Sequence, residues 1–142
     1  YVKPETLFVE METLKDMTTT EFLYVLGNIL TTTRYGAISS RIGKVKNMLV
    51  GVAFSNCELF SNLELTQAVY DQLKGEESEL PFPLENEAVI TAVKESAQLL
   101  SGNVIGQVTW ITSEEVASLV TELNELYSDE AAFAEQLKQL AY

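Results

Sequence analysis

The chain has 142 residues, which is enough for one domain with one hydrophobic core. Its longest apolar stretches, such as Met48–Phe54, are too short to cross a bilayer, and no signal peptide is recognisable. Its single cysteine, Cys57, excludes an intrachain disulfide, and its net charge of −12 disfavours general attraction to phosphate. We therefore expect a cytoplasmic protein without a membrane partner. Because the chain starts at Tyr1 rather than Met, we also expect a processed chain or a fragment of a longer polypeptide.

The predicted elements begin with a strand. Apolar Leu7, Val9 and Met11 alternate with their neighbours, which predicts a strand with one buried face. Thr18 and Glu21 have the spacing of a capping box, so a helix is expected to begin there. Its apolar residues recur at helical spacing over 22–30 and predict one buried stripe. The helix is expected to end at the β-branched run 31–33, which has a poor helix propensity.

The next segments alternate between strands and helices. Residues 34–43 predict a loop bracketed by two glycines, and the apolar end of 44–54 predicts a central strand. Ser61 and Glu64 repeat the capping-box spacing. The remaining predicted elements are a helix to about Lys74, a surface connector at 75–86, a helix at 87–100 stopped by Gly102, a strand at 104–111, a helix from Ser113 to near Tyr127 and a last helix toward Tyr142.

This order of elements predicts the fold class. Strands and helices alternate without a glycine-rich nucleotide turn, which favours an α+β fold with helices on one side of a mostly antiparallel sheet. We expect one domain fragment over 1–142, made of a core at 1–74, the connector at 75–86 and a mostly helical remainder at 87–142. Trp110 is expected to pack in the core, and Cys57 to be a small, partly buried residue.

The residue types of the chain exclude most catalytic sites. It contains no histidine, so the commonest general base and metal ligand are missing, and neither a nucleophilic triad nor a structural zinc site can be built. Neither glycine-rich phosphate-binding motif is present. Three glutamates over 76–79 are typical of a solvated loop. Glu114 and Glu115 are expected in the first turn of a helix, where acidic side chains interact favourably with the helix dipole. We therefore expect no enzyme activity, no metal and no cofactor.

The charges of the chain are unevenly distributed. Residues 22–57 contain no Asp or Glu but four basic residues, whereas the rest of the chain is strongly acidic. Burial explains the absence of acids at Phe22–Leu30 and at Met48–Phe54. Burial does not explain it at Thr31–Asn47, because that stretch is polar and basic. The stretch 31–47 is therefore the candidate binding surface.

Residues 31–46, with the sequence TTTRYGAISSRIGKVK, have the composition of a phosphate-binding segment. Arg side chains can hold phosphate oxygens with two hydrogen bonds, and hydroxyls and backbone N–H groups can hold others. Tyr35 offers a ring that can stack on a base or a ribose. Such contacts read the backbone and shape of a nucleic acid rather than its bases. The alternative is a plain basic surface loop that balances an acidic body.

Four linked motifs resemble a known family. They are FLYVLGNIL at 22–30, TRYGA at 33–37, RIGKVKN at 41–47 and ELFSNLELTQAVYD at 58–71. In this order they are similar to the C-terminal half of the backbone subunit of the type I-D CRISPR Cascade complex, a member of the RAMP superfamily. The resemblance covers roughly residues 1–85.

The resemblance implies a modified RRM or ferredoxin-like core that polymerises along a guide RNA (crRNA) and presents its spacer for target pairing in antiviral defence. The implied partners are the guide RNA, the target nucleic acid paired to it, other copies of the chain and other Cascade subunits. The implied RNA-backbone contacts lie in the loop after the first helix and, more weakly, just beyond it. With the preceding Thr33, the candidate RNA-binding residues are Thr33, Arg34, Tyr35, Gly36, Ser39, Ser40, Arg41, Lys44 and Lys46.

Two rival functions belong to other classes. In the first, the chain is a protein-interaction module of a multi-subunit complex, the acidic helices of 87–142 dock a basic partner, and no nucleic acid is contacted. In the second, the chain is an acid-dependent nuclease, which would need a metal-binding carboxylate cluster near the basic loop. The acid-free window 22–57 disfavours the nuclease, although Glu58 stands at its edge.

Overall fold

A computed structural model describes residues 6–36, 43–77, 79–80 and 83–140 of the chain. Within these residues, five helices and a two-stranded antiparallel sheet confirm the predicted α+β class with helices toward the C-terminus. In chain order the elements are α1 (Thr19–Thr31), β1 (Ala53–Ser55), α2 (Asn62–Lys74), α3 (Asn86–Ser101), β2 (Val108–Trp110), α4 (Ser113–Ser128) and α5 (Glu130–Leu140).

The chain divides into two compact units. The helical unit draws its described residues from 13–49 and 112–142 and contains α1, α4 and α5, which pack against one another. The sheet unit draws its described residues from 3–12 and 50–111 and contains the sheet together with α2 and α3. The candidate binding stretch 31–47 therefore belongs to the helical unit.

Three helices begin with a reciprocal capping box, at the N-caps Thr18, Ser61 and Thr112, and the first two confirm the sequence prediction. Each N-cap hydroxyl accepts a hydrogen bond at 3.2–3.3 Å from the N–H of the glutamate three residues later. That glutamate accepts one at 2.6–2.7 Å from the N-cap N–H. Hydrogen bonds from the backbone and then the hydroxyl of the N-cap hold the pKa of Glu64 and of Glu115 below the ordinary 4.5.

Acid is expected to weaken the capping of α2. Because the pKa of Glu64 is lower in the folded chain than in the unfolded chain, its carboxylate stabilises the fold fully above about pH 4.5. This contribution is lost as the pH falls through the lowered folded value. Urea unfolding midpoints measured against pH should therefore fall less steeply on the acid side in Glu64→Gln than in the unaltered chain. Equal slopes in the two proteins would contradict this origin of the acid sensitivity.

A close helix contact organises the helical unit. Gly27, buried on α1, faces the ring of Tyr127 on α4, and a Cβ atom built on Gly27 would lie 2.1 Å from the Tyr127 Cε2 atom. The Tyr127 hydroxyl donates to the Tyr24 carbonyl at 2.7 Å and accepts from Asn28 Nδ2 at 3.1 Å. The Tyr127 ring also packs on Phe133 of α5, with centroids 4.7 Å apart. Burial raises the pKa of Tyr127, as expected for a phenol held between helices.

Replacing Gly27 by Ala is expected to destabilise the helical unit. The added methyl group overlaps the Tyr127 ring, so either the ring or α1 must shift, at a cost of about 1–3 kcal/mol in the free energy of unfolding. Gly102→Ala is the matched control, because Gly102 has φ −68° and its Cβ atom would meet nothing closer than 3.4 Å. Urea denaturation should show a large loss for the first variant and a change within about 0.5 kcal/mol for the second.

The sheet unit has its own hydrophobic core between α2 and α3. Trp110 of β2 pairs with Ala53 of β1, packs against this core as predicted, and donates its Nε1–H to Ser101 Oγ at 3.2 Å. Cys57 is half-buried, which also confirms its prediction. The buried members of the core are Phe60, Leu65, Val69, Ala92 and Ala97.

The predicted strands are wrong in extent, whereas the helices are close to their predicted bounds. Residues 7–11 form no strand in the described structure: Val9 and Met11 pack on the core and Phe8 is 66% exposed, so their alternation reflects burial without backbone pairing. Of 44–54, only Ala53 and Phe54 lie in β1, and Lys44 forms an isolated bridge. The predicted strand 104–111 shortens to β2.

Candidate functional site

Two of the hydroxyl groups in the predicted phosphate-binding stretch form hydrogen bonds within the last turn of α1. The Thr31 hydroxyl donates to the Gly27 carbonyl at 2.8 Å, and the Thr32 hydroxyl donates to the Asn28 carbonyl at 2.6 Å. Their protons are therefore used within the helix and are not available as donors to a ligand. The first hydroxyl beyond this turn is that of Thr33, whose residue is exposed.

The chain beyond α1 is closed at its base by backbone pairing. We call residues 33–46 the basic segment, of which 33–36 and 43–46 are described. The Val45 N–H donates to the Thr33 carbonyl at 2.8 Å, and Arg34 and Lys44 form an antiparallel bridge. Residues directly opposite in such a bridge have Cβ atoms about 4.5–5.5 Å apart on one face. The bridge therefore sets two cationic side chains next to each other.

Two glycines lie between the bridge residues Arg34 and Lys44, one near each of them. Gly36 has φ +90° and Gly43 has φ +96°. Side chains disfavour this left-handed region, so glycine is the residue that lets the chain turn at both points. A Cβ atom on Gly43 would meet nothing within 4 Å, so the requirement there is one of backbone conformation and not of space.

Replacing Gly43 by Ala is expected to loosen the base of the basic segment. The positive φ becomes strained, at a cost of about 1–2 kcal/mol, and the bridge opens more often. Hydrogen exchange of the Val45 amide, which donates across the base, should speed up in this variant. Lys46→Ala removes an exposed cation that is not paired in the bridge and should leave the exchange of Val45 nearly unchanged. An unchanged rate in Gly43→Ala would show that φ at this position does not control the bridge.

A tyrosine and an asparagine form the other part of the site. Tyr35 is 41% exposed, and its hydroxyl accepts a hydrogen bond at 2.8 Å from Asn47 Nδ2. The same Asn47 nitrogen donates to the Thr32 carbonyl at 3.0 Å and to the Ile29 carbonyl. The exposed ring is thus held by its polar end to a half-buried amide. The sequence analysis did not include Asn47 among the candidate residues. The available signal was its position: it is a neutral amide at the end of the basic stretch 31–47.

The basic side chains of the described site are exposed to solvent. Arg34, Lys44 and Lys46 are all exposed, and none of them forms an ion pair with a carboxylate in the described part of the chain. Lys46 follows Lys44 by two residues, the spacing that returns to the same face of an extended chain. The structure therefore brings together five of the predicted residues, Thr33, Arg34, Tyr35, Gly36 and Lys44, and places Lys46 beside them.

Three predicted site residues lie outside the described residues. They are Ser39, Ser40 and Arg41, and their RNA contact stays a prediction. Among the described residues, no group of three His, Cys, Asp or Glu side chains is close enough to hold a metal ion. A carboxyl pair does occur in the sheet unit, where a hydrogen bond with the side chain of Glu12 raises the pKa of Glu10. No helix in the described ranges is long and apolar enough to cross a membrane.

The family model described as Csc2 Crispr matches residues 1–137 of the chain. The match extends well beyond residues 1–85, to which the sequence resemblance was assigned, and it takes in α3, α4 and most of α5. No curated protein matches the chain.

Proposed function

The chain belongs to the Csc2 CRISPR family, a Cascade-associated family, and we propose that it is a non-catalytic scaffold subunit that binds the backbone of a guide RNA (crRNA). In this role it orders the RNA so that the bases of the spacer can pair with a target nucleic acid in antiviral defence. The proposed RNA-binding residues are Thr33, Arg34, Tyr35, Gly36, Ser39, Ser40, Arg41, Lys44 and Lys46.

The bridge between Arg34 and Lys44 carries this proposal. Like charges directly opposite each other across two extended segments repel and are destabilising. Neither side chain forms an ion pair with a described carboxylate, so nothing in that part of the chain relieves the repulsion. A bound anion between them removes it. A phosphate group fits this position, because the guanidinium of Arg34 can bind two of its oxygens and the ammonium of Lys44 can bind a third.

The position of Lys46 favours a phosphodiester chain over a single anion. Lys46 stands two residues beyond Lys44, or about 6.6 Å along an extended backbone. The cations therefore form a short row that can neutralise successive phosphates of one strand. The hydroxyl of Thr33 and the backbone at Gly36 and Gly43 add hydrogen-bonding groups that do not depend on base identity.

The surrounding charges support binding at this place and not elsewhere. The chain has a net charge of −12, but residues 22–57 contain no Asp or Glu. Phosphate is repelled by the acidic surfaces and attracted to the acid-free window, so electrostatics restricts RNA to the basic segment. This pattern fits a subunit that must hold one strand in one orientation.

The proposed role is non-catalytic and requires partners. A chain without histidine lacks the commonest general base, and the sequence offers no cofactor-binding motif. We propose that the partners are the guide RNA, the target paired to it, other copies of this chain and other subunits of a type I-D Cascade complex. Residues 75–142, which lie beyond the basic segment and are rich in acids, are available for the protein contacts.

Removing either cation of the bridge, Arg34 or Lys44, is expected to lower the affinity for RNA. It should also make that affinity less sensitive to salt concentration. Each lost phosphate contact should reduce the slope of log affinity against log salt concentration by about 0.7 for single-stranded RNA. Binding of a labelled single-stranded RNA should therefore be titrated at several salt concentrations with Arg34→Ala and Lys44→Ala. Thermal unfolding should change little, because both side chains are exposed.

Lys138→Ala is the matched control, since it removes the same charge from an exposed side chain of α5 that is paired with Glu135. It should leave affinity and slope nearly unchanged. Ultraviolet crosslinking of the natively purified assembly should place RNA adducts on the peptide that contains Tyr35. Adducts found only outside 31–47 would remove the proposed site but keep the scaffold role. An assembly without RNA would make the protein-interaction module the better interpretation.

A further inference from the structure

The C-terminal end of α1 lacks the groups that usually complete a helix. The carbonyls of a last helical turn have no partner within the helix. No glycine stands at the C-cap of α1, which is Thr32 in an extended conformation, and the last turn contains no basic residue. Asn47 supplies part of what is missing, because its Nδ2 donates to the carbonyls of Ile29 and Thr32. The chain thus leaves α1, forms the basic segment and returns to cap the same helix.

The same amide group also reaches the one aromatic side chain of the basic segment. Asn47 Nδ2 donates to the Tyr35 hydroxyl at 2.8 Å, so its two N–H bonds are shared among three oxygens. Tyr35 remains 41% exposed. A tyrosine ring that is fixed at its hydroxyl and partly exposed can receive a flat group without a search for its orientation.

We propose that Asn47 is a positioning residue of the RNA site, which holds the Tyr35 ring in the orientation that stacks on an unpaired base. The inference rests on the proposed function, because it concerns the same RNA. Asn47 itself is half-buried and lies two residues beyond Val45, whose N–H donates to the Thr33 carbonyl, so in this proposal it acts through Tyr35 and not by touching RNA.

This arrangement reduces the loss of side-chain entropy when a base stacks on Tyr35. An unrestrained exposed tyrosine loses rotamer freedom when a base stacks on it, and that loss reduces affinity. Asn47 removes part of the freedom before RNA arrives, using the capped end of α1 as its fixed point. The tethered ring complements the cations, because stacking contributes affinity that does not depend on phosphate charge.

The test is a double-mutant cycle on the full chain with a labelled single-stranded RNA. Tyr35→Ala should weaken binding by about 5- to 150-fold through the loss of stacking. Asn47→Ala should weaken it roughly 3- to 10-fold, the range expected for losing a hydrogen bond that fixes the ring. In the Tyr35→Ala background, Asn47→Ala should have almost no further effect. The same fold-loss in both backgrounds would overturn the proposal, since a structural role of Asn47 does not depend on Tyr35.

A second variant keeps the test decisive if Asn47→Ala folds poorly. Tyr35→Phe retains the ring but loses the hydroxyl that Asn47 holds, and the exposed position tolerates it. It should lose a few-fold in affinity while still crosslinking to RNA, and adding Asn47→Ala should cost less than it does in the unaltered chain. Wild-type affinity in Tyr35→Phe would overturn the proposal, because the tether would then be irrelevant.

Asn124→Ala provides the matched control, since Asn124 is an exposed asparagine on α4 of the same unit. It should leave RNA affinity unchanged. An unaltered chain that binds no RNA removes the proposed function and this inference together. A chain that binds RNA with independent effects of Asn47 and Tyr35 removes this inference alone.

Discussion

The carbonyl groups at the C-terminal end of α1 are the constraint on which the candidate site depends. A helix end of this kind is usually completed by glycine or by a basic side chain, and α1 has neither. The amide of Asn47 donates to the Ile29 and Thr32 carbonyls instead. The Thr32 hydroxyl only adds a second hydrogen bond to the Asn28 carbonyl, which already accepts the Thr32 backbone N–H. Because Asn47 lies beyond the basic segment, capping the helix requires the chain to return. Helix capping by Asn47 and the backbone hydrogen bond from Val45 to Thr33 therefore close the segment together.

The contacts of α1 with the other helices show why it can serve as a fixed support. Gly27 allows the ring of Tyr127 to lie against the α1 backbone, and the Tyr127 hydroxyl bonds the Tyr24 carbonyl one turn earlier. Such contacts hold α1 against α4 and α5 over its central turns. Binding groups mounted on a rigid element keep their geometry better than groups on a free loop. The described parts of the basic segment, 33–36 and 43–46, lie outside helices and strands, but both ends of the segment are attached to a packed helix.

Sequence reasoning succeeded where the signal is local. The capping boxes at Thr18 and Ser61 and the helical periodicities placed the helices within a few residues, because both depend on neighbours three or four positions apart. Strands depend on a distant partner, which alternation alone cannot identify. Of the predicted buried face at 7–11, Val9 and Met11 pack on the core, Leu7 is exposed, and no ladder forms. The composition of the basic segment was visible, whereas the role of Asn47 arises from a contact 18 residues away and was not.

The charge distribution and the geometry of the site together limit how the proposed complex can form. At physiological salt, charges more than about 8 Å apart are largely screened, so the acidic body does not prevent local attraction by the basic segment. Only three cations are described there, and few phosphate contacts give a weak, salt-sensitive affinity for one chain. In the proposed assembly, copies bound along one RNA add their contacts through effective concentration. A subunit that binds weakly alone and tightly in a row would therefore cover a long RNA strand while binding short strands only weakly.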